Sequence, residues 1–141
     1  MADTGMETIV INATPERILE VINDVEGMPE RMDAFHQADV LERDQQGRPK
    51  RAEFTLDARL KVLHYILEYE YPPNGVRWVM VEGDPKDISG GYDLEPDGAA
   101  TKVTYTYSID AGFPVPGFLR RQGVKMMADA ALKDLKRNAE S

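Results

Sequence analysis

The feature that most constrains the fold of this chain is a long run of alternating apolar and polar residues that leads into one helical segment. From residue 50 to residue 110 the hydrophobic side chains recur with a period of two, which predicts a series of strands with one buried face. Turn signals separate the strands, and the strongest is Asp97-Gly98, which is typical of a tight hairpin. Short connections of this kind make the strands antiparallel neighbours.

The alternation assigns particular side chains to the buried face. In the segment 50–60 the even-numbered residues are apolar, and the strands over 62–71, 76–82, 86–94 and 101–110 alternate in the same way. The apolar positions of the first segment are Ala52, Phe54, Leu56, Ala58 and Leu60.

Two short helical patterns precede this run. A β-branched strand over 6–11 leads to Thr14, whose hydroxyl is a good helix cap, and Pro15 fits the first helical position. A second short helix is expected around 29–34, and a strand over 38–43 follows it. The order of elements is therefore strand, helix, helix, six strands and a final helix.

The C-terminal segment 118–139 predicts a helix of about six turns. Its apolar stripe comprises Leu119, Gly123 or Val124, Met127, Ala128, Ala131 and Leu135, widened by Met126, Ala130 and Leu132. Because no other long amphipathic element is present, we expect this helix to cover the apolar face of a curved sheet of about seven antiparallel strands. The prediction is a single α+β domain over residues 6–141 with a flexible tail over residues 1–5.

Composition excludes several classes of function. With 17 Lys and Arg against 25 Asp and Glu, the formal charge of −8 disfavours nucleic acid as a partner. The chain has no Cys, so disulfides, thiolate nucleophiles and cysteine-bound zinc are ruled out. No apolar run approaches the ~20 residues of a membrane-spanning helix and no signal-peptide pattern is present, so we expect a cytoplasmic protein without an integral membrane segment.

Several stretches resemble the START-like (SRPBCC) superfamily, in particular its bacterial polyketide cyclase/dehydrase branch, which also contains coenzyme Q-binding proteins. The stretches that carry the likeness are Ala13-Thr14-Pro15-Glu16, Asp24 to Pro29, Asp39 to Asp44 and Ala130 to Arg137. The resemblance covers almost the whole chain and implies the helix-grip fold, a curved sheet wrapped around the C-terminal helix. One departure is Arg31-Met32, where many relatives have a Trp.

The inward positions of the predicted strands are rich in aromatic residues with polar tips. Rings of this kind, together with deformable Met, suit a largely apolar ligand that carries a few polar groups. The alternative, for each residue considered by itself, is that the side chain fills the hydrophobic core and contacts no ligand. The predicted ligand-binding residues are Phe54, Leu56, Tyr65, Leu67, Tyr69, Trp78, Met80, Tyr92, Tyr105 and Tyr107 from the sheet, with Met126 and Met127 from the helix.

The polar residues that could take part in catalysis do not lie at these inward positions. His64, the pair Asp57 and Arg59, and the pair Glu68 and Glu70 are assigned to the outward face by the same alternation. His36 is expected in a loop beside the second helix. Two isolated His residues give no metal signal, and no cofactor fingerprint occurs.

The leading hypothesis is a protein that binds a small hydrophobic ligand, such as a lipid, a polyketide-like aromatic or an isoprenoid, between the sheet and the C-terminal helix. An alternative from the enzyme class is an aromatase/cyclase that cyclises and dehydrates a poly-β-ketone. An enzyme needs a titratable group in the cavity, whereas a carrier needs only a matching shape. The face of the sheet on which Asp57, Arg59 and His64 lie therefore discriminates between the enzyme and the carrier. A weaker alternative is a protein-interaction module, which an exposed apolar patch favours.

Overall fold

The structure is a computed structural model that describes residues 2–59, 61–112 and 114–141. Met1 of the predicted tail, Leu60 of the predicted buried row and Phe113 of the last connector lie outside the described residues. The elements are β1 (Asp3–Ile11), α1 (Pro15–Ile22), α2 (Met28–Arg31), β2 (Phe35–Arg43), β3 (Pro49–Asp57), β4 (Val62–Glu70), β5 (Gly75–Gly83), β6 (Asp87–Asp97), β7 (Ala100–Asp110) and α3 (Gly117–Ala139).

The predicted order of elements and the α+β class are confirmed. Within the described residues the strands form one antiparallel sheet in the order β1-β7-β6-β5-β4-β3-β2, so β1 is carried across the domain to pair with the last strand. Thr14 caps α1 through a hydrogen bond from the Arg17 amide to its hydroxyl (3.1 Å). Gly98, in the predicted hairpin between β6 and β7, has φ +64°, a value that favours glycine.

The first strand is longer than the sequence pattern predicted. β1 begins at Asp3, and Asp3, Thr4 and Gly5 pair with Ile109, Ser108 and Tyr107 of β7. Three residues assigned to a tail therefore belong to the sheet. The difference arises because Asp3 and Gly5 are poor strand formers by type, whereas pairing with β7 and an ion pair between Asp3 and Arg120 of α3 hold them in place.

Two apolar clusters form the core on the inward face of the sheet. The first cluster joins α1 and the C-terminal half of α3 to β1, β6 and β7 through Ile18, Leu132, Leu135 and Val103. The second cluster lies on β3 and β4 and contains Phe54, Leu56, Leu63, Tyr65 and Leu67. Between them, the sheet presents a further set of aromatic rings, described below.

The apolar stripe of α3 packs over only part of its length, which corrects the prediction. The buried side chains of α3 are Ala128, Leu132, Asp134, Leu135 and Ala139, all in its C-terminal half. Leu119, Met126 and Ala130 are exposed, and open space surrounds Gly123. The N-terminal half of α3 is instead tied to β1 by the ion pairs Asp3–Arg120 and Glu7–Lys125, so polar contacts hold it to the edge of the sheet in place of an apolar stripe.

Candidate functional site

Aromatic side chains from four adjacent strands form a connected row on the inward face, which we call the aromatic row. Its members are Tyr69 on β4, Trp78 on β5, Tyr92 on β6, and Tyr105 and Tyr107 on β7. Trp78 is central, with ring centroids 6.2 Å from Tyr69, 5.6 Å from Tyr92 and 6.2 Å from Tyr105. Register explains the row, because Tyr69 pairs with Trp78 and Tyr92 pairs with Tyr105 across neighbouring strands.

A glycine makes room for the central ring. Gly90 lies opposite Trp78 in the ladder, and a Cβ atom at Gly90 would come within 3.0 Å of the indole Nε1 and 2.7 Å of the Thr106 carbonyl oxygen. A glycine inside a strand is typical of a close approach of this kind.

Four tyrosines present hydroxyl groups with no hydrogen-bond partner among the described residues: Tyr65, Tyr69, Tyr92 and Tyr105. Among the described residues, every side-chain N or O atom that is completely shielded from solvent has a hydrogen-bond partner. Because these four hydroxyls have no partner, they are not completely shielded, and a water-sized molecule can reach each of them. Their side chains are nevertheless deeply placed, with Tyr65 6% and Tyr92 8% exposed. We call these residues the unpaired tyrosines.

The remaining two tyrosines show the contrast. Tyr71 donates its hydroxyl hydrogen to the Pro49 carbonyl oxygen at 2.6 Å, and Tyr107 donates to Glu7 Oε2 at 3.2 Å. Buried polar groups in proteins are normally paired in this way. The unpaired tyrosines are therefore the set with hydrogen-bonding capacity to offer a bound molecule.

Burial keeps the unpaired tyrosines protonated. Removal from water raises the pKa of Tyr65, Tyr69, Tyr92 and Tyr105 far above the ordinary value for tyrosine, and neighbouring tyrosines raise it further. The negative charge of Asp134 adds to the rise for Tyr92. The interior therefore offers neutral O–H donors across the physiological pH range.

A cavity of about 370 Å³ opens between the α2–β2 segment, β7 and α3. Its walls are mostly apolar, and they include Phe35, Ile109, Val124 and Ala131, which were not among the predicted ligand-binding residues. Tyr105, Tyr107 and Met127 are the three predicted ligand-binding residues among its lining. The volume falls within the range of pockets that hold small organic molecules.

An ion pair in the wall of this cavity joins α2 to α3. Arg31 Nε donates to Asp134 Oδ2 at 3.1 Å, and the two side chains are 17% and 5% exposed. Arg31 also binds Asp24 Oδ2 at 2.9 Å, while Asp134 accepts from Asn138 Nδ2 at 2.9 Å. Arg31 and Asp134 both line the cavity, and their hydrogen bonds fix the α2 segment against α3.

Two further carboxylates lie on the inward face of β1. Asp3 binds Arg120, and Glu7 accepts from Lys125 Nζ at 2.8 Å as well as from Tyr107. These pairs tie the N-terminal half of α3 to the edge of the sheet. Sequence reasoning missed Asp3 and Glu7, because β1 is apolar on both faces from residue 9 to residue 11 and gives no clear parity.

The other predicted ligand-binding residues do not line this cavity, and all but Met126 belong to the core clusters or pack against them. Phe54, Leu56, Tyr65 and Leu67 belong to the second core cluster, with Met80 packed against it. Tyr92 belongs to the first cluster, and Tyr69 and Trp78 contact both. Met126 is 53% exposed and does not line the cavity.

The charged candidates on the strands face outward, as the alternation predicted. His64 is exposed, and its ring nitrogen Nε2 lies 2.9 Å from the Thr55 hydroxyl. Asp57 Oδ2 lies 3.6 Å from His36 Nε2 at the surface, and Glu68 pairs with Arg51.

In the described residues no group of three or more His, Asp or Glu side chains is arranged to hold a metal ion. No helix in the same part of the chain is long and apolar enough to cross a bilayer.

A family model described as polyketide cyclase / dehydrase and lipid transport matches residues 5–140. A search of curated proteins found no match. The structural neighbours include a START superfamily protein from Mycobacterium smegmatis, which has 20% sequence identity and a TM-score of 0.86, with 97% of each chain covered.

Two more neighbours differ in the activity that their descriptions give. The Zhui aromatase/cyclase from Streptomyces sp. R1128 has 16% identity and a TM-score of 0.78, covering 99% of this chain and 94% of that one. A STAR-related lipid transfer protein from Xanthomonas axonopodis has 17% identity and a TM-score of 0.78, covering 98% and 86%. At these identities the likeness establishes the helix-grip fold.

Proposed function

Because the chain belongs to the polyketide cyclase/dehydrase and lipid transport family, we propose that it binds a small, largely apolar molecule between the sheet and α3. The ligand is a lipid, a polyketide-like aromatic or an isoprenoid that carries hydrogen-bond acceptors. The observation that carries the proposal is the set of unpaired tyrosines, since neutral O–H donors without partners in an apolar interior match acceptor oxygens on an apolar skeleton.

The outward placement of Asp57 and His64 and the pairing of Asp134 favour a carrier over an enzyme. Asp57 and His64 face outward, away from the interior. Asp134 borders the cavity, but Arg31 and Asn138 occupy its carboxylate oxygens, and a carboxylate held in this way is poorly placed to remove a proton from a substrate.

Native mass spectrometry of the purified protein tests the binding proposal. We expect a bound small molecule that organic extraction releases and that is apolar with at least one carbonyl, hydroxyl or ester oxygen. Protein that carries no such molecule and takes up no lipid, aromatic polyketone or isoprenoid from a mixture contradicts the proposal.

A second candidate, an aromatase/cyclase, is supported by one specific observation: the ionisable groups that border the cavity include the carboxylates Asp33 and Asp134 as well as Arg31. Tyr→Phe changes at Tyr65, Tyr69, Tyr92 and Tyr105 separate the two functions, since each keeps the ring and deletes the hydroxyl. A carrier should lose about 1 kcal/mol or less of binding free energy per change. Loss of turnover of a poly-β-ketone with binding intact would identify a catalytic donor and support the cyclase instead.

A further inference from the structure

Tyr92 and Tyr105 are direct partners in the β6–β7 ladder and have the closest pair of rings in the aromatic row. Their centroids are 4.6 Å apart and their planes differ by 16°. We propose that these two hydroxyls donate jointly to a single carbonyl oxygen of the bound molecule, which selects a neutral ketone or quinone. This inference rests on the proposed function and names the polar group by which the apolar ligand is held.

The stacking geometry sets the distance between the two donors. Opposite residues on one face of an antiparallel pair have Cβ atoms about 5 Å apart, and the near-parallel rings carry that spacing outward toward the hydroxyls. Two oxygens about 5 Å apart are too distant to hydrogen-bond to each other. One oxygen placed between them lies about 2.7 Å from both, which is an ordinary O–H···O distance. The pair therefore matches an acceptor with two lone pairs, as a carbonyl oxygen has.

The surroundings favour a neutral acceptor over an anion. Asp134 is close enough to Tyr92 for its charge to help raise the pKa of that hydroxyl, so a second negative charge there would be repelled. The cations of the cavity wall do not offset this, because the Arg31 guanidinium is already shared between Asp134 and Asp24, Arg137 is paired with Asp134, and Lys133 is exposed to water. A ketone accepts both hydrogen bonds without adding charge.

Fluorenone and fluorene form a matched pair of probes for this two-donor site. They share one flat tricyclic skeleton, and fluorenone has a carbonyl oxygen where fluorene has a methylene group. We expect calorimetry to give about tenfold tighter binding of fluorenone, the sum of two neutral hydrogen bonds of ordinary strength. Fluorene-9-carboxylate, which adds a charge to the same skeleton, should bind more weakly than fluorenone.

Phe substitutions assign the preference to the two residues. Tyr92→Phe and Tyr105→Phe should each reduce the fluorenone preference to about threefold, and the double variant should abolish it. Tyr71→Phe is the control, because the Tyr71 hydroxyl is already committed to Pro49, and this variant should keep the full preference. The infrared carbonyl band of bound fluorenone should move to lower frequency in the wild type and recover part of the shift in each single variant.

The outcomes separate this inference from the proposed function. Equal binding of fluorene and fluorenone, or a carbonyl band that the double variant leaves unmoved, overturns the two-donor site while leaving an apolar binding cavity in place. Tighter binding of the carboxylate overturns the choice of a neutral ligand group. Failure of all three probes to bind contradicts the proposed function itself, and with it the inference.

Discussion

Arg31 on α2 and Asp134 on α3 form an ion pair in the wall of the cavity, with Nε and Oδ2 3.1 Å apart. The two residues are 103 positions apart in the chain, and their contact joins the short helix before the sheet to the helix that closes it. Asp134 is among the few charged side chains of the described residues that are buried. The ion pair therefore links the stability of the fold to the shape of the cavity.

Removing the arginine should destabilise the fold. Arg31→Ala leaves the Asp134 carboxylate buried with Asn138 and the weaker contact to Arg137 at 3.4 Å, and we expect a loss of about 2 to 4 kcal/mol of unfolding free energy. Denaturant titration measures the loss. Lys133→Ala is the matched control, since Lys133 is an exposed neighbour at the same cavity, and should change stability by about 0.5 kcal/mol or less. Equal losses of unfolding free energy in the two variants would contradict a stabilising role for the Arg31–Asp134 ion pair.

Adjacent methionines on α3 test how the helix is rotated. Met127 lines the cavity and packs against the second core cluster, whereas Met126 points to solvent. Met127→Lys should cost about 1 to 3 kcal/mol of unfolding free energy, less than for a fully enclosed site because the lysine can extend into the cavity. Met126→Lys should cost about 0.5 kcal/mol or less. The reverse order in thermal melts would show that α3 is turned the other way.

The tyrosines predict how stability depends on pH. All six tyrosines have a raised pKa in the folded protein, mainly because of burial. The unfolded chain loses these protons near pH 10 while the folded protein retains them, so stability is fully present below pH ~10 and falls as the pH rises further, by up to about 1.4 kcal/mol per pH unit for each buried tyrosine. Tyrosinate absorbance should stay low in the native protein at pH 10.5 and appear together with unfolding. A full tyrosinate signal from the folded protein at this pH would contradict the burial of the tyrosine side chains.

Period-two alternation was enough to place the sheet residues of the site. It assigned Tyr92 and Tyr105 to the inward face and His64 to the outward face, because parity along a strand is a local property of the sequence. Turn signals and short connections gave the antiparallel pairing of consecutive strands, but the pairing of β1 with β7 was not predicted. The unpaired state of the tyrosine hydroxyls was not predictable residue by residue, since it depends on which groups other strands bring near them.

Long-range contacts account for what the sequence did not reveal. Nothing local marks Asp134 as the partner of Arg31, because charged residues on a helix are usually solvated. Leu119 and Met126 were assigned to the packed stripe, but both are exposed, because the N-terminal half of α3 is held to β1 by ion pairs between residues distant in the sequence. Asp3 and Glu7 became inward residues only when β1 paired with β7 and met Arg120 and Lys125 of α3.

Binding in the interior is tested most directly through Trp78, the only tryptophan in the chain, which lies in the middle of the aromatic row. Titration with a long-chain fatty acid and with a flat polycyclic ketone should change the position or intensity of its emission, and the change should saturate at one ligand per protein. Tyr92→Phe should weaken the response to the ketone more than the response to the fatty acid. Unchanged Trp78 emission with both ligands, together with a crystal structure whose interior is filled by side chains, would contradict the proposal that this protein binds apolar molecules in an internal cavity.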